Sequence, residues 1–213
     1  MSARRPVPFL SFEGIEGCGK TTQIERLASR LRADGRACLV TREPGGTPFG
    51  DQLRDLLLRW EGSEIDGLIE LFLLEASRRA HVARAILPAL AAGTIVISDR
   101  FADSSIAYQA GGRGIDREWV EQMNRYATGG VEPDLTFLLD LDAEEGLRRV
   151  QQRDRTEDRL EREKLDFHRR VRESYLALAA GNRERFRVID ATMDAARIHE
   201  KILAWVVPLL PSL

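Results

Sequence analysis

The sequence predicts an α/β fold: one five-stranded parallel sheet with helices on both faces. Three observations carry that expectation. Short apolar, β-like runs alternate with amphipathic helical patterns along the whole chain. No internal repeat or low-complexity linker interrupts the alternation. The first apolar run leads through a glycine-rich turn directly into the first helical pattern, as a phosphate-binding strand–loop–helix does.

The elements follow in order. A buried strand is expected over residues 9–12, then a helix over 21–33 with Ile24, Leu27, Ala28 and Leu31 on one face. A second strand over 37–41 precedes helical patterns over 49–60 and 66–91. A third strand over 94–98 is followed by a helix over 117–128 and a fourth strand over 135–141. Helices over 143–152 and 162–180, a fifth strand over 186–189 and a helix over 195–206 complete the set. Five strands and about seven helices fit one doubly wound domain spanning 1–213. The segment 153–163, RDRTEDRLERE, is the exception, with alternating charge and one apolar residue. It reads either as a solvated face or as a mobile lid bearing arginines, at about 153–163.

The turn after the first strand reads Gly14-Ile15-Glu16-Gly17-Cys18-Gly19-Lys20-Thr21 and fits G-x-x-x-x-G-K-[ST], the P-loop. With a strand before it and a helix after it, the pattern predicts a phosphate site and so a P-loop NTPase fold. Backbone N–H groups and the helix N-terminus would cradle an anion. Lys20 would reach the β- and γ-phosphates, and the Thr21 hydroxyl would ligate Mg²⁺. Only three of the 32 basic residues are Lys, namely Lys20, Lys164 and Lys201, so a lysine at the P-loop position stands out.

Bulk properties narrow the class. A formal net charge of -2 supports neither nucleic-acid nor membrane attraction. The apolar stretch 86–97 is broken by Pro88 and Gly93 and is too short to span a bilayer. Cys18 and Cys38 make no disulfide framework, so a cytoplasmic, reducing location is expected. His81, His168 and His199 are scattered and suggest no metal cluster.

Three further polar clusters fall at or after strand ends, where ligands bind in such sheets. They are Arg42-Glu43-Pro44-Gly45-Gly46-Thr47, Ser98-Asp99-Arg100-Phe101, and the segment 104–114 with Ser105, Tyr108 and Gln109. With these residues the chain resembles the thymidylate kinases, P-loop nucleoside monophosphate kinases. The resemblance runs nearly end to end: FEG at 12–14, GKTTQ at 19–23, REPGGT at 42–47, EASR at 75–78, DRF at 99–101, AYQAGGRG at 107–114, PDLTFLLD at 133–140 and IDAT at 189–192.

The resemblance implies transfer of the γ-phosphoryl group of MgATP to the 5′-phosphate of dTMP. The attacking oxygen is already anionic, so the chemistry is positioning and charge neutralisation. Gly14, Ile15, Glu16, Gly17, Cys18, Gly19, Lys20, Thr21 and Thr22 would hold ATP. Glu16 would order the acceptor sugar or a metal-bound water, and Asp99 would lie beside the magnesium with Thr21. Arg100 would grip the acceptor phosphate. Arg78 would hydrogen-bond thymine, with Ser105 and Gln109 along the same wall. Tyr108 would crowd the sugar 2′ position, and Glu43 and Pro44 would line the acceptor pocket.

Two points are specific to this chain. The P-loop carries no basic residue between Gly14 and Gly19, which resembles the subgroup whose catalytic arginine comes from the lid. Arg153, Arg155 and Arg159 are candidates, with Arg153 and Arg159 favoured. The family usually places Phe four residues before the base-reading Arg, where this chain has Leu74, with Phe72 nearby. That implies weaker dTMP binding or looser base choice. The family also forms homodimers through helices of the region 49–74, where the apolar pattern exceeds what one sheet face needs. A P-loop switch protein and an inactive nucleotide-binding relative are the competing classes. The absence of an N-K-x-D sequence argues against a GTPase, and Glu16, Lys20, Thr21, Asp99 and Arg100 together argue against inactivity.

Overall fold

A computed structural model describes residues 6–60, 62, 65–152 and 159–211. Five strands, β1 (Phe9–Glu13), β2 (Cys38–Arg42), β3 (Ile95–Asp99), β4 (Leu135–Asp140) and β5 (Phe186–Asp190), form one sheet in the order β2-β3-β1-β4-β5. Every pairing is parallel, with Leu10 opposite Ile97 on one side and Leu135 on the other. The central strand β1 is buried at all five residues, the polar Ser11 and Glu13 along with Phe9, Leu10 and Phe12.

The helices are α1 (Lys20–Ala33), α2 (Pro48–Arg59), α3 (Gly67–His81), α4 (Leu87–Ala91), α5 (Ala102–Ser105), α6 (Arg117–Thr128), α7 (Ala143–Gln151), α8 (Leu165–Gly181) and α9 (Ala195–Val206). Helix α1, which connects β1 to β2, packs with α9 after β5, while α4 packs on β3 and α8 on β4 and β5. The core is continuous across both faces, with Phe9 against Phe101 and Phe12 against Phe137 at ring-centroid distances of 4.9 and 5.1 Å.

Two differences from the expected elements matter for the site. The pattern over 66–91 is not one regular helix: a π-helical turn, Val82–Ile86, separates α3 from α4. Pro88 lacks an N–H and sits at the start of α4, so the ladder of hydrogen bonds widens just ahead of it. The second difference is that the serine- and glycine-rich segment after Asp99 is helical. Helix α5 runs into a π-helix, Ile106–Gly112, which carries Tyr108 and Gln109. Its glycines serve close packing, because a Cβ on Gly112 would lie 2.5 Å from the Phe167 ring of α8.

Candidate active site

The loop between Glu13 and Lys20 rests directly on backbone. Gly17 has φ 77°, and a Cβ there would lie 2.3 Å from the carbonyl oxygen of Gly146 in α7. Lys20 is nearly buried; its Nζ donates to the carbonyls of Gly14 and Ile15, both at 3.0 Å, and lies 3.5 Å from Cys18 Sγ. The loop, the C-terminal ends of β2 and β3, and the inner faces of α2 and α3 enclose a cavity of about 260 Å³. Its lining includes Glu16, Gly17, Gly19, Lys20, Thr21 and Thr22 from the loop and first turn, Glu43 and Pro44 after β2, and Leu74 on α3. Asp99, Arg100, Tyr108 and Gln109 complete the opposite wall.

Glu16 and Arg100 pair directly with each other on the lining of this cavity. Arg100 Nη2 donates to Glu16 Oε1 at 2.9 Å and to the Tyr108 hydroxyl at 2.9 Å, and the Tyr108 hydroxyl donates to the same carboxylate oxygen at 2.5 Å. Arg100 Nη1 donates to Gly14 O and Tyr175 Oη, each at 3.0 Å. Burial alone would raise the Glu16 carboxyl. Arg100, with His168, Lys20 and Tyr108, outweighs it and holds Glu16 far below the usual carboxylate range. Glu16 is therefore an anion at neutral pH and no proton acceptor. Arg100 itself sits at φ 72°, in the left-handed region, at the turn leaving β3.

The loop after β2 is pinned from α3. Glu43 Oε2 accepts from Arg78 Nε at 2.8 Å and Oε1 pairs with His81 Nδ1 at 2.9 Å, while Gly45 N donates to Ser77 Oγ at 3.1 Å. The Glu43–Pro44 peptide bond is cis.

The family model described as Thymidylate kinase matches residues 12–202. The chain belongs to the thymidylate kinase family. Thymidylate kinases of Trichlorobacter lovleyi and of a Synechococcus species are each 50% identical to it. Those matches run over 199 and 203 residues, covering 91% and 95% of this chain and 94% and 96% of theirs. A crystal structure of thymidylate kinase from Ehrlichia chaffeensis superposes with a TM-score of 0.76 at 34% identity, covering 94% of this chain and 98% of that one. Its fold is the P-loop NTPase fold expected from the motif, and the family is one of nucleoside monophosphate kinases.

Within this thymidylate kinase family member, several residues expected at the site form a layer behind the cavity wall. Arg78 is 1% exposed, and its guanidinium is bound by Glu43, Glu75, Ser105, Asn124 and the Phe101 carbonyl. One Nη2 hydrogen is left over from those bonds. Ser105 is likewise buried behind the wall, and its neighbour Ser104 reaches the cavity instead. Gly14, Ile15 and Cys18 underlie the loop rather than line it. Gln109 does line it, with Nε2 held by Glu70 at 2.6 Å and a buried Oε1 that lacks a partner in the protein.

Arg159, expected as a lid arginine, has its partners away from the cavity. Its guanidinium is bound by Glu70 and by the Leu57 carbonyl, so it ties the segment to α2 and α3 and does not line the cavity. Glu70 is a buried carboxylate that pairs with both Arg159 and Arg113. Arg153 and Arg155 lie outside the described residues. Leu160 and Glu161 reach the wall, and Leu160 is the one apolar residue of the charged run, the signal that this segment touches something. Arg54 and Leu58, one turn apart on α2, also line the cavity, with Arg54 donating to Pro44 O at 3.0 Å. Their sequence signal was only an i, i+4 pair beside an apolar stripe.

Thr21 and Asp99 both border the cavity beside Lys20. A hydroxyl and a carboxylate suit Mg²⁺, which takes one or two protein ligands and keeps phosphate oxygens and water for the rest. Among the described residues no group of three or more His, Cys, Asp or Glu forms a cage for a metal. Among them, too, no helix is long and apolar enough to cross a membrane.

Proposed function

We propose that this chain phosphorylates dTMP, forming dTDP and ADP from MgATP. The observation that carries the reading is that the Glu16–Arg100–Tyr108 cluster and the P-loop lysine line one cavity. A nucleoside triphosphate on one side and a nucleoside monophosphate on the other would meet there, phosphate to phosphate. A phosphate oxygen of dTMP attacks the γ-phosphorus as the bond from γ-phosphorus to the bridging oxygen breaks, and ADP leaves with that electron pair. No general base is required, which agrees with a Glu16 carboxylate held too acidic to take a proton.

Lys20, released from the Gly14 and Ile15 carbonyls, neutralises the donor phosphates. Thr21 and Asp99 would hold Mg²⁺, which supplies charge neutralisation at the phosphate oxygens. Arg100 binds the acceptor phosphate, and Arg54 adds positive charge on the α2 side. Tyr108, packed under Arg100 with the guanidinium 4.8 Å from its ring, closes the floor beneath the sugar and disfavours a 2′-hydroxyl. Leu74, Pro44, Ser104 and Gln109 surround the base. Phe72 offers no aromatic face to it, being half exposed and stacked edge-on against Trp119. Arg153 and Arg155 are the lid arginines for the transition-state charge, with Arg159 as the segment's tether.

The chain also forms a homodimer through α2 and α3, where Phe49, Leu56, Leu68, Ile69 and Phe72 are exposed apolar side chains. Sedimentation of a Phe72→Asp variant as a monomer, with the parent a dimer, is the expected result. Catalysis is tested by ADP formation with dTMP, dUMP, dCMP, dGMP and AMP offered separately. Turnover highest with dTMP, weaker with dUMP and negligible with the others is expected. Acceptor-independent ATP hydrolysis alone would overturn the reading.

A further inference from the structure

The last residue of β1, Glu13, is a fully buried carboxyl group to which the proposed reaction gives no task. Three donors converge on it. The Phe101 backbone N–H at 2.7 Å and the Ser11 hydroxyl at 3.0 Å reach Oε1, and the Tyr175 hydroxyl reaches Oε2 at 2.7 Å. The Tyr175 oxygen in turn accepts from Arg100 Nη1. Arg100 is the one non-glycine residue with positive φ among the described residues, and the N–H that Glu13 holds is the one immediately after it.

We propose that Glu13 is the positioning residue of the acceptor-phosphate site. It pins the left-handed turn at Arg100 through the Phe101 N–H and aims the Arg100 guanidinium through Tyr175. This rests on the assignment of Arg100 to the acceptor phosphate.

The donor set requires the ionised form. All three partners give hydrogens, and a carboxylate only accepts. Burial pushes the Tyr175 hydroxyl well above its ordinary range, so it stays a donor. A proton on Oε2 would compete with that donor and turn the hydroxyl away, breaking the relay to Arg100. Burial, then the charge of Asp103, raises Glu13 to about 7, against the opposing pull of Arg100, Tyr175 and the Phe101 N–H. Arg185, bonded to Asp103 at 2.5 and 2.8 Å, is the other cation whose charge couples to Glu13. The relay is thus complete above about pH 7 and is lost as pH falls through it.

The test is the KM for dTMP and the KM for ATP across about pH 5.5 to 8.5 for the parent enzyme, Glu13→Gln and Tyr175→Phe. In Glu13→Gln near pH 8 the dTMP KM rises on the order of tenfold, the weight of a charge-assisted hydrogen bond, while the ATP KM holds. The parent's dTMP KM rises as pH falls, with an inflection that Glu13→Gln lacks. The ionisation of the substrate phosphate is common to both and cancels in the comparison. Tyr175→Phe cuts the relay but spares the Phe101 contact, so it raises the dTMP KM by itself even if Glu13→Gln does not fold. Both variants within twofold of the parent, or both KM values rising together, would overturn the proposal. A parent enzyme with no dTMP-dependent turnover would overturn the function itself, and this inference with it.

Discussion

Replacing Arg78 with Met tests the layer behind the cavity. The Met side chain occupies the volume of the arginine stem and removes the charge that faces Glu43 and Glu75. Glu43 keeps His81 Nδ1, so Glu75 carries the loss; it is buried, and its Oε2 already lacks a partner. Burial raises Glu75 even with Arg78 opposing it, so without the arginine it escapes by taking a proton. At pH 7.5 that proton costs at most about 4 kcal/mol, from about 1.36 kcal/mol for each of three pH units above its ordinary value of 4.5. The Asn124 oxygen left without its donor adds about 1 kcal/mol, giving an expected loss of about 3–5 kcal/mol. The sign with pH follows. In the variant the folded state binds a proton that the unfolded chain releases, so the loss shrinks as pH falls toward 4.5. At pH 5.5 the protonation cost is only about 1.4 kcal/mol. Urea unfolding at both pH values measures this directly. A loss under about 1 kcal/mol at pH 7.5, or equal losses at the two pH values, would refute the reasoning.

Other substitutions probe the cavity itself. Leu74→Phe puts an aromatic face where the base is expected and should lower the dTMP KM about fivefold, from about 1 kcal/mol of stacking; an unchanged KM and an unchanged dTMP/dUMP preference would count against the assignment of that wall. Gly17→Ala drives a Cβ into Gly146 O at a positive φ, so it should lose about 2–4 kcal/mol of stability together with ATP binding, read by thermal melts with and without nucleotide. Arg153→Ala and Arg155→Ala should include one variant whose kcat falls about 10²-fold with KM little changed. Arg159→Ala should instead destabilise the segment that packs on α2, seen as faster proteolysis there, with kcat reduced less.

Local patterns placed most of the fold. Helices α6 and α9 coincide with their expected limits, and each strand lies within about two residues, because continuous apolar runs and 3.6-residue stripes are imposed by burial. The P-loop was legible because glycine, lysine and threonine are each demanded by backbone approach and charge. The helix over 102–112 was not. Gly111 and Gly112 are chosen by the nearness of α8, and Ser105 by Arg78 of α3, contacts that appear only in three dimensions. The same limit explains Arg78 and Arg159. Sequence identifies an arginine, but which carboxylate claims it depends on Glu43, Glu75 and Glu70 arriving from elsewhere in the chain. It also explains Glu13, whose neighbours Phe101 and Tyr175 are remote in sequence, so that it read only as the middle letter of a motif.

The strand order has a consequence for biosynthesis. Among the described elements β1 comes first, yet its two partners are β3 and β4, not the next strand in the chain. During translation the apolar strand Phe-Leu-Ser-Phe-Glu therefore emerges with no edge to pair with, and it waits while most of the polypeptide is synthesised. The P-loop hangs from the end of that strand, so nucleotide-binding competence arrives late and nearly at once. A truncated nascent chain ending before β4 carries the whole motif but only one of the two strands that flank β1. Nucleotide capture by ribosome-bound chains of increasing length would register the moment the centre of the sheet closes.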